Sequence, residues 1–127
     1  MQDRCTYEYA IVRIVPKVER EEFVNVGVLV FSKRKKFIGI KHHVDTTKLK
    51  ALAPELDLEL YQQYLKAWES ICSGTTAGGK IAQMETSDRF RWLTAAKSST
   101  LQCSKTHTGL CHQPEKTLEV LFDKYVL

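Results

Sequence analysis

Cys103, His107, Cys111 and His112 bring four metal-capable side chains into one short span of the 127-residue chain. Thiolate and imidazole ligands of this kind hold tetrahedral zinc. Four-residue steps occur in such sites, but the usual C-x-x-C knuckle is missing. A strand through Cys103 followed by a loop carrying His107 would not make the four converge. A thiol nucleophile at Cys103 or Cys111, served by His107, would lack an orienting carboxylate nearby. The span "RFRWLTAAKSSTLQCSKTHTGLCHQP" therefore reads as a polar edge brought against a sheet, with no metal and no cofactor. Phe90, Trp92 and Leu93 anchor it, and Arg89 and Arg91 alternate with them. His107 and Thr108 reach the sheet's polar end, and Gly109 supplies a positive-φ turn before the last helix.

Two other stretches invite chemistry. "GTTAGGKI", Gly74 to Ile81, fits the glycine and lysine frame of a phosphate-binding loop. Ile81 lacks the hydroxyl that would hold magnesium, and the loop follows a helix rather than a strand. "KRKK", Lys33 to Lys36, could meet phosphates, but its place between two strands makes it a solvated turn. The aromatic stripe Tyr61, Tyr64 and Trp68 has a helical period, which favours core packing over base stacking.

The elements that position these residues follow from periodicity. The chain is 43% hydrophobic and 27% charged with a net charge of +4, which fits one globular α+β domain spanning residues 1–127. That charge is compatible with an anionic ligand and falls short of a dedicated nucleic-acid binder. The amino end lacks the pattern of a secretory signal, and no apolar run reaches spanning length, so reduced cysteines in the cytoplasm, away from membranes, are expected. Tyr7–Val15, Phe23–Phe31 and Phe37–His43 read as strands. Asp45 and Asp57 cap two helices, the second running to Cys72 with Gly74 as its stop. Ser73–Lys80 is a loop, Ser87 caps a short helix, and Thr100–Ser104 is a weak strand. Pro114 opens a last helix with Leu118, Leu121, Phe122 and Tyr125 as its stripe. The expected fold is a three- or four-stranded antiparallel sheet with helices packed mainly on one face.

Folding the strands as hairpins sets Arg13 near Asn25 or Gly27, and His42 opposite Gly27. Strict alternation puts Asn25, Gly27, Leu29 and Phe31 on one face, joined by Ile38, Ile40 and His42. The reading is a polar pocket of Arg13, Asn25 and His42 beside a glycine. The competing reading is a bulge at Asn25 and Gly27, with Arg13 paired to a carboxylate such as Glu22. A one-residue slip would exchange His42 for His43.

"YAIVRIVP", "EEFVNVGVLVF", "RFRWLTA" and "HTG" before a Pro-started helix resemble the Domain of Unknown Function 3037 family of bacterial proteins. The similarity spans nearly the whole chain. It carries over to Arg13, Glu22, Asn25, Gly27, Arg89, Arg91, Trp92, His107, Thr108 and Gly109. The chain departs from the family pattern at Ala96, where proline is common, and in the extra Cys103 and Cys111. The resemblance implies a neighbourhood with HipA-like kinase proteins and no particular activity.

Paired carboxylates, a metal motif and a cofactor loop are all missing. The leading reading is a non-catalytic cytoplasmic binding or regulatory module whose partner is another bacterial protein, with a HipA-like kinase as the candidate. Its ligand- or partner-binding residues would be Arg13, Asn25, Gly27, His42, Arg89, Arg91, His107 and Thr108. One rival is a small phosphoryl- or nucleotide-handling enzyme, with Arg13, Arg89 and Arg91 clamping an anion and His107 as acid or base. Nucleic-acid binding through Lys33–Lys36 and Lys41 is the second rival.

Overall fold

The computed structural model describes residues 4–16, 22–95 and 100–127. Strands β1 (Cys5–Ile14), β2 (Val24–Ser32) and β3 (Phe37–His42) pair antiparallel in that order. All three are rich in the β-branched and aromatic residues that suit a pleated surface. The turn expected about Glu19–Arg20, and Ala96, lie outside the described residues. Lys33–Lys36 turns β2 into β3, and the Lys36 amide donates to the Lys33 carbonyl at 3.2 Å.

The sheet has five strands rather than three or four. On the edge of β1 away from β2, β4 (Leu101–Cys103) pairs with Val12–Ile14 and β5 (His107–Cys111) with Cys5–Tyr9. The weak strand expected over Thr100–Ser104 is β4, while β5 occupies a stretch read as loop. Physically, β4 and β5 are two halves of one course along β1. Ser104, Lys105 and Thr106 bridge the break opposite Ala10 and Ile11. Ser104 satisfies the backbone there: its amide donates to the Ile11 carbonyl at 2.8 Å, and its hydroxyl accepts from the Ile11 amide at 2.8 Å.

Helices α1 (Thr46–Leu52) and α2 (Leu58–Ser73) are capped by Asp45 and Asp57, whose side chains accept from the amides of Lys48 and Leu60. Gly74, at φ 73°, ends α2 in the left-handed conformation. The expected loop after it holds a 3₁₀ turn (Thr76–Gly78) and a single turn of helix, α3 (Gly79–Ala82). Next comes α4 (Thr86–Thr94), whose N-cap is Glu85 rather than Ser87. Helix α5 (Pro114–Tyr125) starts at its proline.

Leu49, Leu65, Trp68, Phe90 and Leu93 from α1, α2 and α4 pack over Val12, Ile14, Leu29 and Phe31. On the opposite face, Leu118, Leu121 and Phe122 of α5 cover Ile11, Val28 and Val30. Helices thus sit mainly on one face, and the sheet's centre is buried on both. Tyr64, expected in the α2 stripe, is largely exposed. No described helix is long and apolar enough to cross a membrane.

A bulge in β2 changes the expected faces. Val12 pairs with Gly27 and Arg13 with Asn25, which leaves Val26 as an extra residue. Beyond it the alternation reverses. Val24 and Val26 join Leu29 and Phe31 in the larger core, and Asn25 turns to the α5 side, where its amide donates to the Tyr125 carbonyl at 3.0 Å. Strict alternation would have buried the Asn25 amide among aliphatic groups and exposed two valines. The bulge avoids both costs.

Leu65 is fully buried at the centre of the larger core. Leu65→Ala should lower unfolding free energy by about 2–5 kcal/mol. Val120→Ala, on the outer face of α5, should change it by less than about 0.5 kcal/mol. Urea titration of both variants checks the layer assignment.

Candidate functional site

The expected pocket residues divide between the two faces of the sheet. Arg13 and Asn25 are neighbours across the β1–β2 ladder. The Arg13 guanidinium lies 4.4 Å from the centre of the Phe23 ring, a cation–π contact, and its Nε is buried without a hydrogen-bond partner among the described residues. His42 is opposite Gly27, the expected register, but it points to the α2 side and meets Glu69 Oε2 at 2.7 Å. A Cβ on Gly27 would stand 3.0 Å from the Lys41 carbonyl oxygen. The glycine therefore serves close strand approach rather than an open space.

The arginines of α4 have separate settings. Arg89 donates from Nε to the Met84 carbonyl at 2.9 Å, and from one terminal nitrogen to the Ile71 and Cys72 carbonyls at 2.9 and 3.0 Å. It closes the carboxyl end of α2, where unpaired carbonyls and the helix dipole attract a cation. Arg91 is 74% exposed, with Asp88 at 3.8 Å one turn away. A shared clamp with Arg13 does not form from these placements.

The candidate thiols and imidazoles are likewise distributed. The Cys103 thiol donates to the Leu93 carbonyl at 3.5 Å, and burial pushes its pKa up to about 12. Cys72 is pushed to about 12 by the same cause. Cys111 sits across from Cys5, with their sulfurs 3.9 Å apart, and burial raises its pKa too. Among the described residues no group of three or more His, Cys, Asp or Glu is placed to hold a metal ion.

His107 and Thr108 lie on β5, both exposed. His107 pairs with Tyr9 and its ring centre is 5.2 Å from that of Tyr9. Tyr9 in turn stacks near Tyr7 and Tyr125. A hydrogen bond to Tyr125, with burial, pushes the Tyr9 phenol up to about 12. Gly109 is in extended strand rather than the expected positive-φ turn. The Tyr7 ring lies over it, and a Cβ there would come within 2.8 Å of ring atoms.

These features converge at the outer edge of β5. β5 pairs with β1, and no other described strand pairs with it. A groove of about 560 Å³ adjoins it on the α2 face, lined by Phe31 and Leu110 with Arg4, Lys33, Arg34 and Glu8. A second, of about 490 Å³, adjoins it on the α5 face, between Tyr7, Leu110, Lys116 and Val120. Leu110 is 61% exposed and Val120 is 64% exposed. An unpaired strand edge with apolar recesses on both faces is a template for an added strand. A third groove, beside His42 and His43 at the end of edge strand β3, is lined mainly by polar side chains of α2, among them Glu59, Gln62, Gln63 and Lys66.

Sequence reasoning sent His107 and Thr108 to the polar end of the sheet beside Arg13 and Asn25; they pair instead with Tyr9 and Glu8, while Gln102 is the residue opposite Arg13. It missed Leu110, Val120 and Tyr7. Val120 carried a signal, because it lies about 200° around the helix from Leu118, off the buried stripe. Leu110 had no such signal, since its stretch read as loop.

Arg89→Met should lower unfolding free energy by roughly 2–3 kcal/mol, because three charge-assisted bonds to part-buried carbonyls are lost. Arg91→Met should cost less than about 0.5 kcal/mol. Denaturant unfolding of the pair distinguishes a helix clasp from a ligand clamp.

No curated protein and no solved structure matches this chain. One family model does match, over residues 9–126, a span that takes in β1 from Tyr9 onward, the bulge, Arg89 and β5. The chain therefore belongs to the family described as Protein of unknown function (DUF3037).

Proposed function

We propose that this protein is a non-catalytic cytoplasmic binding or regulatory module that takes an extended segment of another protein as a sixth strand along β5. The observation that carries this reading is the outer edge of β5, which no other described strand covers, with a groove on each face and Leu110 lining both. An added strand directs alternate side chains to opposite faces, so apolar residues two apart fill one groove and those between face the other. Main-chain bonds supply affinity in this mode and the grooves supply selectivity.

Charge narrows the partner. Arg4, Lys33, Arg34 and Lys116 line the grooves against the one acid Glu8. An apolar segment carrying acidic residues complements them, and a basic one is repelled. The family resemblance points to a HipA-like kinase protein as its source. Lys33 and Arg34 enter as selectors of acidic residues rather than as a nucleic-acid patch. The rival anion clamp loses support from Arg89, whose donors already serve helix carbonyls.

Selection of displayed ten-residue peptides on the purified protein tests the reading. Alternating apolar sequences with Asp or Glu should be enriched. Leu110→Asp should weaken their binding more than tenfold without altering the melting temperature by more than a few degrees. The same substitution should abolish capture of a purified HipA-like kinase protein. Absence of enrichment, or peptides that bind wild type and Leu110→Asp alike, would overturn the proposal.

A further inference from the structure

We infer that Cys5 and Cys111 form a modification site, a thiol pair that a small disulfide such as oxidised glutathione converts reversibly to a protein disulfide. This does not rest on the docking reading. The two residues occupy directly opposed positions in the β1–β5 ladder, and their free sulfurs stand 3.9 Å apart. Opposed residues in antiparallel strands have Cα atoms about 4.5–5.5 Å apart, within the range of roughly 4.4–6.8 Å that disulfides span. Closing to a bond of about 2.05 Å needs the sulfurs to move together by about 1.9 Å, a side-chain rotation rather than a strand shift. The Ser32 hydroxyl lies 3.4 Å from Cys5 Sγ and 3.1 Å from the Thr6 carbonyl oxygen, close against that sulfur on the side of β2.

The pair adjoins a surface recess. Both side chains point to one face of the sheet, where Cys111 lines the groove beside Lys116. A glutathione-sized reagent can therefore approach Cys111 from the recess beside Lys116, whose ammonium complements the tripeptide's carboxylates. Cys72, on α2, and Cys103, on β4, belong to the larger core.

The exchange balances as two displacements. The Cys111 thiolate attacks one sulfur of oxidised glutathione, the S–S bond breaks, and one glutathione leaves as thiolate. The Cys5 thiolate then attacks the Cys111 sulfur of the mixed disulfide and expels the second glutathione. The protein gives up two electrons and two protons, and one glutathione disulfide becomes two thiols. Burial favours the protonated Cys111, so the exchange is slow near neutral pH and is best read at equilibrium.

The test equilibrates the full chain with graded ratios of reduced to oxidised glutathione, then alkylates it and measures mass. Of the four cysteines, two should become resistant to alkylation under oxidising ratios, with peptide mapping joining Cys5 to Cys111 and dithiothreitol reversing it. A Cys72→Ser, Cys103→Ser double variant should behave identically. Cys5→Ser should stop at a mixed disulfide on Cys111, 305 Da heavier, as one glutathione requires by its chemistry (~305 Da). Four alkylatable thiols at every ratio, or a disulfide mapped to any other pair, would overturn the inference.

Discussion

The burial of the second half of β1 on both faces, and the pairing of the strand on both edges, is the constraint from which the other elements take their places. Ile11 belongs to the core beneath α5, and Val12 and Ile14 to the core beneath α1, α2 and α4. A strand in that position must have every backbone group paired, because water does not reach it. β2 satisfies one edge. The other edge is shared by β4 and β5, and the Ser104 side chain fills the gap between them. A continuous strand there would have been regular. The interruption leaves β5 a short outer strand that lies at the surface and ends near two recesses.

The second organising feature is the extra residue Val26. It lets β2 contribute valines to the larger core at Val24 and Val26 while Asn25 reaches the carboxyl end of α5. The same shift separates Arg13 and Asn25 from His42, which lies opposite Gly27 on the other face. The polar residues that look like one pocket in the sequence are therefore a helix tether, a stacked cation and a histidine–carboxylate contact.

Much of the scaffold was legible because its signals are local. Strong β-branched runs, Asp45 and Asp57 as caps, Gly74 as a stop and Pro114 as a start each act within a few residues. The pairing of Gly27 with His42 followed from turn position alone. The bulge between Asn25 and Gly27 was one of two readings of that stretch, and the pairing bears it out, but alternation alone could not choose it over a regular strand. β5 was hidden for another reason. "HTGLC" has little β propensity, and it becomes a strand because β1 offers an unpaired edge beside it and Tyr7 covers Gly109. Arg89 looked like a ligand-binding cation because the sequence does not show that the end of α2 lies within its reach.

The proposed site rests on what a strand edge can do when both its flanks carry apolar recesses whose charged side chains are mostly basic. Amide hydrogen exchange across the whole chain, with and without a saturating selected peptide, tests this most directly. The account predicts slowed exchange concentrated in His107–Cys111, with Leu110 among the protected amides. Unchanged exchange along β5, with protection instead beside His42, His43 and Lys66, would contradict it.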